Sequence, residues 1–155
     1  MRNGFISYAH EDHAVLGRFL SHLASTEQHC AVKFWADTAI DPGRKWPGEI
    51  AAAIAGADVL LMLVSAYTWT SSYINDTEWP LIKQRTDAGA LLVPVLVKPC
   101  FLPAYLTDIQ GVPTKGQTIK AITAWPKQEI ALHTANKQLR VALVTHFRRL
   151  DGARS

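Results

Sequence analysis

The most hydrophobic run in the chain consists of six consecutive apolar residues, Val59–Val64. A run of this length with polar residues on both sides predicts a strand that is buried on both faces, as in a parallel sheet. Open α/β sheets bind their ligands beyond the carboxyl ends of such strands. The segment that follows is rich in aromatic and hydroxyl side chains and leads to the carboxylate of Glu78. It is therefore the first candidate for a functional site.

Four other segments have the composition of strands. They are residues 4–8, 31–35, 91–97 and a short fifth strand at 119–122. Pro94 predicts that the strand at 91–97 lies near an edge of the sheet or contains a bulge, because proline cannot donate to the strand ladder. Residues 98–118 contain several prolines and glycines and are predicted to be irregular, with one helical turn near residues 104–106.

Helices are predicted between these strands. The first carries Val15, Phe19 and Leu23 at a four-residue spacing, which indicates an amphipathic helix that ends at polar residues 25–28. Others are predicted at 47–57, from 71 or 72 to 88, and from 126 onwards. Pro80 lies inside the third of these four helices. It should kink that helix or mark its first turn, since it cannot bond to the carbonyl of Asp76.

This alternation predicts an α/β domain at residues 1–149, a flavodoxin-like doubly wound sheet of about five parallel strands with helices on both faces. Residues 150–155 are interpreted as a C-terminal tail or the start of a linker to a further domain. A phospho-receiver shares this architecture but requires acidic residues at the ends of its first and third strands. Here those ends are Ser7-Tyr8 and Ser65-Ala66. The receiver hypothesis is therefore rejected.

Composition and charge narrow the classes of function. The net charge is +3, but no dense stripe of Lys and Arg accompanies it, so no direct binding to nucleic acid is expected. No apolar run approaches ~18 residues. For that reason we expect no membrane span. The first residues already form a predicted strand, which leaves no room for a signal peptide, and we expect a cytoplasmic location. Cys30, Cys100 and the scattered histidines lack the spacing of metal ligands, so no metal is expected.

Four motifs occur in a characteristic order. They are Phe5-Ile6-Ser7-Tyr8; Phe34-Trp35-Ala36-Asp37 leading to Asp41-Pro42-Gly43 and Trp46; Val59–Ser65 followed by Ser71-Ser72-Tyr73 and Glu78; and Leu92-Val93-Pro94-Val95. Their order and spacing resemble the TIR (Toll/interleukin-1 receptor) domain family, in its bacterial NAD+-cleaving type. Each motif alone is unspecific, but the four together are specific and cover residues 3–149.

The resemblance implies an NAD+ glycohydrolase or cyclase that cleaves the nicotinamide–ribose bond. Such domains serve as effectors of bacterial defence systems, are activated by self-association, and commonly have a fused or partner sensor domain. In enzymatic members a glutamate on the third helix is catalytic, and Glu78 fits that position. NAD+ would be the substrate, so no cofactor is expected. Without the resemblance, Glu78 would be interpreted as an ordinary exposed helix glutamate.

The expected substrate contacts surround this glutamate. Ser7 and Tyr8 end the first strand, and Trp69 and Tyr73 could stack on nicotinamide or adenine. A long loop, expected to gate the pocket, supplies or borders the remaining candidates, which are Asp37, Gly43, Lys45 and Trp46. Each has an ordinary alternative: Asp37 a turn aspartate, Gly43 a turn glycine, Lys45 a solvated cation and Trp46 a residue that packs against its own helix.

One position departs from the family. Enzymatic members often place a tryptophan four residues before the glutamate, and this chain has Ile74 there. Either Trp69 or Tyr73 supplies the stacking surface, or the pocket has a different shape. Two alternatives therefore stay open. One is a non-catalytic adaptor module that signals by TIR–TIR association. The other is a glycosyl transferase that resembles nucleoside deoxyribosyltransferases and acts on deoxynucleosides.

Overall fold

The computed structural model describes residues 1–36 and 46–153, in which four parallel strands form a sheet in the order β2-β1-β3-β4. The strands are β1 (Arg2–Ser7), β2 (Val32–Ala36), β3 (Val59–Val64) and β4 (Leu91–Leu96). The helices are α1 (His13–Cys30), α2 (Trp46–Ala55), α3 (Ala66–Thr70), α4 (Trp79–Asp87) and α5 (Gln128–Ala153). Short 3₁₀ turns lie at His10–Asp12, Ala104–Leu106 and Ile122–Ala124, and a π-helical segment covers Tyr73–Glu78. The predicted flavodoxin-like fold class is confirmed.

Strand β3 lies at the centre of the sheet. It pairs along its whole length with β4 and over Val59–Met62 with β1, and all six of its residues are buried. Its side chains alternate between two cores. Leu61 and Leu63 pack with α1 and α5, whereas Leu60 and Val64 pack with α2 and α4. The prediction of a strand buried on both faces is confirmed.

Helix α1 buries its predicted apolar face but extends past residues 25–28, where the sequence predicted its end. Thr26 is fully buried there, and its hydroxyl donates to the side-chain oxygen of Asn136 on α5 at 2.7 Å. This polar pair joins two helices that contact each other, and for that reason a polar residue is accommodated inside α1. Ala31, in the left-handed conformation with φ of 52°, ends the helix instead.

The predicted fifth parallel strand at residues 119–122 is wrong for the described part of the chain. A short antiparallel hairpin forms instead, from β5 (Thr114–Lys115) and β6 (Thr118–Ile119). Gly116, with φ of 66°, supplies the turn. Beyond β4, the described residues continue the sheet only as an isolated pairing between Val95 and Val112. Strand β4 is therefore the last strand on its side of the sheet, as the position of Pro94 predicted.

The helix predicted from residue 71 or 72 is preceded by a separate short helix, α3, which the sequence did not predict. Ser65 caps its N-terminus, because the Ser65 hydroxyl accepts a hydrogen bond from the Tyr67 N–H at 3.1 Å. In return, the Thr68 hydroxyl accepts from the Ser65 N–H at 3.0 Å. The two bonds form a capping box directly at the carboxyl end of β3.

The predicted helix is divided between the π-helical segment, which begins at Tyr73, and α4. The N–H of Trp79 bonds to the carbonyl of Ile74, five residues earlier, instead of the α-helical four. Pro80 follows in the first turn of α4, one of the two outcomes predicted for it. A proline at this place cannot donate to the Asp76 carbonyl, so the regular ladder is interrupted where the wider turn occurs.

At the other end of the chain, α5 continues through Ala153, and Asp151 forms an ion pair with Arg2 at 2.5 Å. The boundary proposed between the domain and a tail at residue 150 stays a prediction. Among the described residues, no helix is both long enough and apolar enough to cross a membrane.

Candidate active site

Glu78 is buried at the carboxyl edge of the sheet, with 6% of its surface exposed. Ser7, the last residue of β1, donates its hydroxyl hydrogen to Glu78 Oε1 at 2.7 Å. The two residues are 71 positions apart in the chain, so the fold brings them together. A buried helix glutamate is rare unless it is hydrogen-bonded, and this one therefore differs from the exposed glutamate that the sequence alone would suggest.

Asn75 fixes the path of the chain into Glu78. Its side-chain amide donates to the carbonyls of Thr68 and Ser71, each at 2.8 Å, and so ties the end of α3 to the segment that leads to Glu78. The hydroxyl of Tyr105 donates to Asn75 Oδ1 at 2.9 Å. Burial raises the pKa of Tyr105, so this hydroxyl stays protonated and remains a donor at neutral pH.

The residue four positions before Glu78 offers no stacking surface. Ile74 is 2% exposed and packs among the aliphatic residues beneath α2 and α4. An aromatic pair that was not predicted includes the residue directly after Glu78 in the chain. Trp79 stacks on Tyr105, with ring centroids 4.0 Å apart. Its position next to Glu78 was the only sequence feature that could have indicated it.

Two predicted aromatic contacts, Trp69 and Tyr73, lie at the surface beyond the carboxyl end of β3. Their exposed fractions are 50% and 38%. The indole N–H of Trp69 donates to the carbonyl of Phe101 at 2.6 Å, so the ring is held in place while its face stays accessible. The predicted contact Tyr8 is half-buried and packs against the core of α1 and α5. Ser7, by contrast, faces Glu78.

The loop candidates fall largely outside the described residues. Asp37, Gly43 and Lys45 lie in the stretch between β2 and α2 that the structure does not describe. Trp46 begins α2, but the structure does not describe its side chain either. The roles assigned to these four residues stay predictions.

A second buried carboxylate lies at the same edge and was not identified as part of a site. It belongs to Asp12, whose side chain is fully buried and accepts from the Ser65 hydroxyl at 2.5 Å and from Lys98 Nζ at 2.6 Å. Lys98 lies 86 residues further along the chain, so no local pattern could have connected the two.

A cavity of about 700 Å³ lies elsewhere, between the outer edge of β4, the β5–β6 hairpin and α5. Leu91, Gly111 and Gln138 are among the residues that line it, and none of the predicted site residues whose side chains the structure describes does. Because Leu91 begins β4, this cavity opens at the amino end of that strand. Glu78 and Ser7 lie at the carboxyl ends, where open α/β sheets place their ligands. The carboxyl edge therefore remains the candidate site.

Comparison with known proteins finds the following similarities. A family model described as TIR domain matches residues 5–134. The uncharacterized protein y4lF of Sinorhizobium fredii (strain NBRC 101917 / NGR234) is 28% identical over 144 residues, which are 92% of this chain and 44% of that protein. The chain thus spans less than half the length of this relative. The crystal structure of the TIR domain of the Toll-related receptor TRR-2 from Hydra magnipapillata matches with a TM-score of 0.49 and 19% identity, covering 70% of this chain and 81% of that one.

Proposed function

We propose that this chain, which belongs to the TIR domain family, cleaves the nicotinamide–ribose bond of NAD+ with Glu78 as its catalytic residue. The observation that carries the proposal is the buried carboxylate at the carboxyl edge, oriented by the Ser7 hydroxyl at 2.7 Å. A carboxylate in a site that excludes water interacts more strongly with a developing positive charge than one in bulk solvent.

A single carboxylate is sufficient for this chemistry. Ordinary glycosidases need a second carboxyl group, which protonates the leaving oxygen. Nicotinamide in NAD+ is already cationic, so the electron pair of the C–N bond moves to the ring nitrogen and a neutral pyridine leaves. Positive charge then develops on the ribose, and Glu78 stabilises it. Water adds to the anomeric carbon and loses a proton, and the products are ADP-ribose, nicotinamide and H⁺.

The same site permits a second product. If another part of the substrate attacks the anomeric carbon in place of water, a cyclic ADP-ribose forms. We further propose that the domain is the effector part of a bacterial defence system and that self-association, triggered by a fused or partner sensor domain, activates it. Specific activity that rises with protein concentration would support this arrangement. Activity strictly proportional to protein concentration would count against it.

The test is an NAD+ incubation followed by chromatography that separates nicotinamide, linear ADP-ribose and cyclic ADP-ribose. Glu78→Gln keeps the size of the side chain and removes its charge, so release of nicotinamide should fall by at least about 100-fold. Glu129→Gln is the matched control, because Glu129 is an exposed glutamate in the first turn of α5. Equal release from the Glu78 variant and the wild type would remove Glu78 from the mechanism. Deoxynucleosides in parallel reactions test the glycosyl-transferase alternative.

A second candidate is an adaptor module without catalysis, and one observation favours it. The chain has a buried isoleucine, Ile74, at the position where enzymatic members often have a tryptophan. Three aromatic residues are exposed instead at the surface: Tyr67 at 42%, Trp69 at 50% and Phe101 at 88%. Clustered exposed aromatic residues are typical of interaction surfaces. Sedimentation of Trp69→Ser against the wild type tests this candidate. Loss of self-association, with no NAD+ turnover in either protein, would favour the adaptor.

A further inference from the structure

Three strand ends meet at the carboxylate of Asp12. The chain leaves β1 and reaches Asp12 through the 3₁₀ turn at His10–Asp12. Ser65 directly follows β3, and Lys98 lies two residues after the end of β4. Both donate to Asp12, through Oγ at 2.5 Å and through Nζ at 2.6 Å. One side chain therefore connects the ends of three of the four strands.

The two charged residues of this cluster differ in how deeply they are buried. Asp12 has no exposed side-chain surface, whereas the side chain of Lys98 is 36% exposed and brings a positive charge to it from the solvent side. Cys100 is a further titratable group close to Asp12, since the Asp12 charge contributes, after burial, to raising the pKa of the Cys100 thiol. A fully buried carboxylate is tolerated when it is paired and hydrogen-bonded, so Lys98 is the residue that permits the cluster.

The cluster extends to helix α3. The Ser65 hydroxyl donates to Asp12 and at the same time accepts from the Tyr67 N–H at 3.1 Å, so the bond that caps α3 is linked to the buried charge. Lys98 Nζ also lies 5.1 Å from the centroid of the Tyr67 ring, within the range of a cation–π contact. Trp69, on the same helix, bonds to the carbonyl of Phe101, three residues after Lys98.

The cluster also fixes the segment that follows Ser7. At one end of this segment Ser7 is bonded to Glu78, and at the other end Asp12 is bonded to Ser65 and Lys98. The four residues in between, 8–11, are thus anchored on both sides. Residues 8–11 directly follow Ser7 in the chain, and α3 lies between β3 and the segment that contains Glu78.

We propose that Lys98 is a positioning residue: through its ion pair with Asp12 it holds residues 8–11 and the start of α3 in the places from which they border the substrate of Glu78. This inference rests on the proposed NAD+ cleavage. Lys98 does not act on the reacting bond in this arrangement. Its removal should therefore weaken substrate binding, whereas a purely structural role would reduce only the amount of folded enzyme.

The experiment compares Lys98→Met, Lys98→Arg, the double variant Asp12→Asn/Lys98→Met and the control Lys83→Met. Lys83 forms an exposed ion pair with Asp87 at 2.8 Å on α4, far from any contact with Asp12. We expect Lys98→Met to raise the KM for NAD+ about tenfold at unchanged or slightly lower kcat, because misplaced binding groups reduce affinity by such factors. Lys98→Arg should keep KM within about threefold of the wild type, since it retains the cation.

The double variant separates positioning from stability. It removes the unpaired buried charge, so its melting temperature should return towards that of the wild type, while its KM should stay raised. If the double variant restores both values, or if Lys98→Met lowers kcat in proportion to the folded fraction at unchanged KM, the positioning role is overturned.

Amide hydrogen exchange gives a readout that does not need activity. In Lys98→Met, residues 8–12 and 66–71 should exchange faster than in the wild type and in Lys83→Met, while the strand amides of β3 keep their protection. If the wild type fails to cleave NAD+, the proposed function fails, and this exchange pattern still decides whether Lys98 holds the two segments. Unchanged exchange in both segments would overturn the inference.

Discussion

Two buried carboxylates lie at the same edge of the sheet, and their surroundings differ. Each accepts a hydrogen bond from a serine at a strand end, Glu78 from Ser7 and Asp12 from Ser65. Lys98 compensates the negative charge of Asp12 with a full positive charge. Removal of one partner from such a buried ion pair is strongly destabilising, so Asp12 and Lys98 depend on each other. The proposed role of Glu78 is different, namely to stabilise positive charge on a substrate. Burial is common to both acids and therefore does not by itself distinguish the two roles.

The largest expected effect concerns the compensated acid. Lys98→Met leaves Asp12 buried without its cation, and removal of one partner from a buried pair costs about 3 kcal/mol in the free energy of unfolding. Urea denaturation followed by circular dichroism measures it. Lys83→Met removes an exposed pair and should change the same quantity by less than about 1 kcal/mol. Equal losses of unfolding free energy in the two variants would mean that the Asp12 pair contributes no more to stability than an exposed ion pair.

The next largest effect concerns β1, the strand that contains Ser7 and precedes Asp12 in the chain. Gly4 packs under Phe34, and an added Cβ would lie 2.2 Å from the Phe34 ring. Gly4→Ala should therefore lower the free energy of unfolding by about 1–3 kcal/mol through overpacking.

Gly17 is the control for this variant, because an added Cβ there meets nothing within 4 Å. Gly17→Ala lies inside α1 and should stabilise the protein by about 0.5–1 kcal/mol. Thermal denaturation of the two variants side by side gives opposite shifts. A neutral Gly4→Ala variant would show that the ring of Phe34 can move away.

A smaller effect, and the sharpest contrast between the acids, concerns Glu78 itself. In Glu78→Gln the amide oxygen can still accept from Ser7, and a buried charge is lost. The free energy of unfolding should stay the same or rise, within about 1 kcal/mol, while activity is lost. Chemical denaturation of the same preparations used for the NAD+ assay measures it. A large loss of stability would place Glu78 with Asp12 among the structural acids.

The smallest expected effect is a pH dependence of stability that arises from His146 and not from Glu78 or Asp12. Burial lowers the pKa of His146 below its ordinary 6.5, and the charges of Arg149 and Arg2 lower it further, while Asp58 opposes them. The unfolded state therefore binds the proton more readily than the folded state. Stability should be complete above pH 6.5 and decline, by a fraction of a kcal/mol, as pH falls from 6.5 through the lowered pKa.

Replacement His146→Gln should flatten that part of the stability curve, measured as melting temperature between pH 5 and 8. The flattening should appear equally in Glu78→Gln/His146→Gln. If the acidic decline persists without His146, its origin lies in another group.

The sequence predicted those parts of the fold that depend on local pattern. The apolar run at Val59–Val64 and the four-residue spacing in α1 each identified an element and its buried face. The fifth parallel strand was wrong because the composition of a strand does not determine which segment it pairs with. Ile119 has the side chain of a strand residue, but the turn at Gly116 pairs it within a hairpin.

The site was predictable in part. The resemblance identified Glu78, and the position of Ser7 at a strand end suggested a contact, but the burial of Glu78 depends on how the chain bends after α3. The pair of Asp12 and Lys98 connects distant positions and leaves no periodic pattern in the sequence. For Asp37, Gly43 and Lys45 the predicted roles remain as they were.

The wider helical turn before α4 has a consequence for how this family's sequences are compared. A motif written as a fixed count of residues assumes that equal counts give equal places on a helix surface. Between Ile74 and Trp79 one hydrogen bond encloses an additional residue, so that assumption fails there. A substitution such as Ile74→Trp, chosen only to restore the familiar spacing, would place a large ring in a filled core instead of beside the carboxylate. Transfer of the motif between members should therefore move the whole turn, from Tyr73 to Pro80, as one unit.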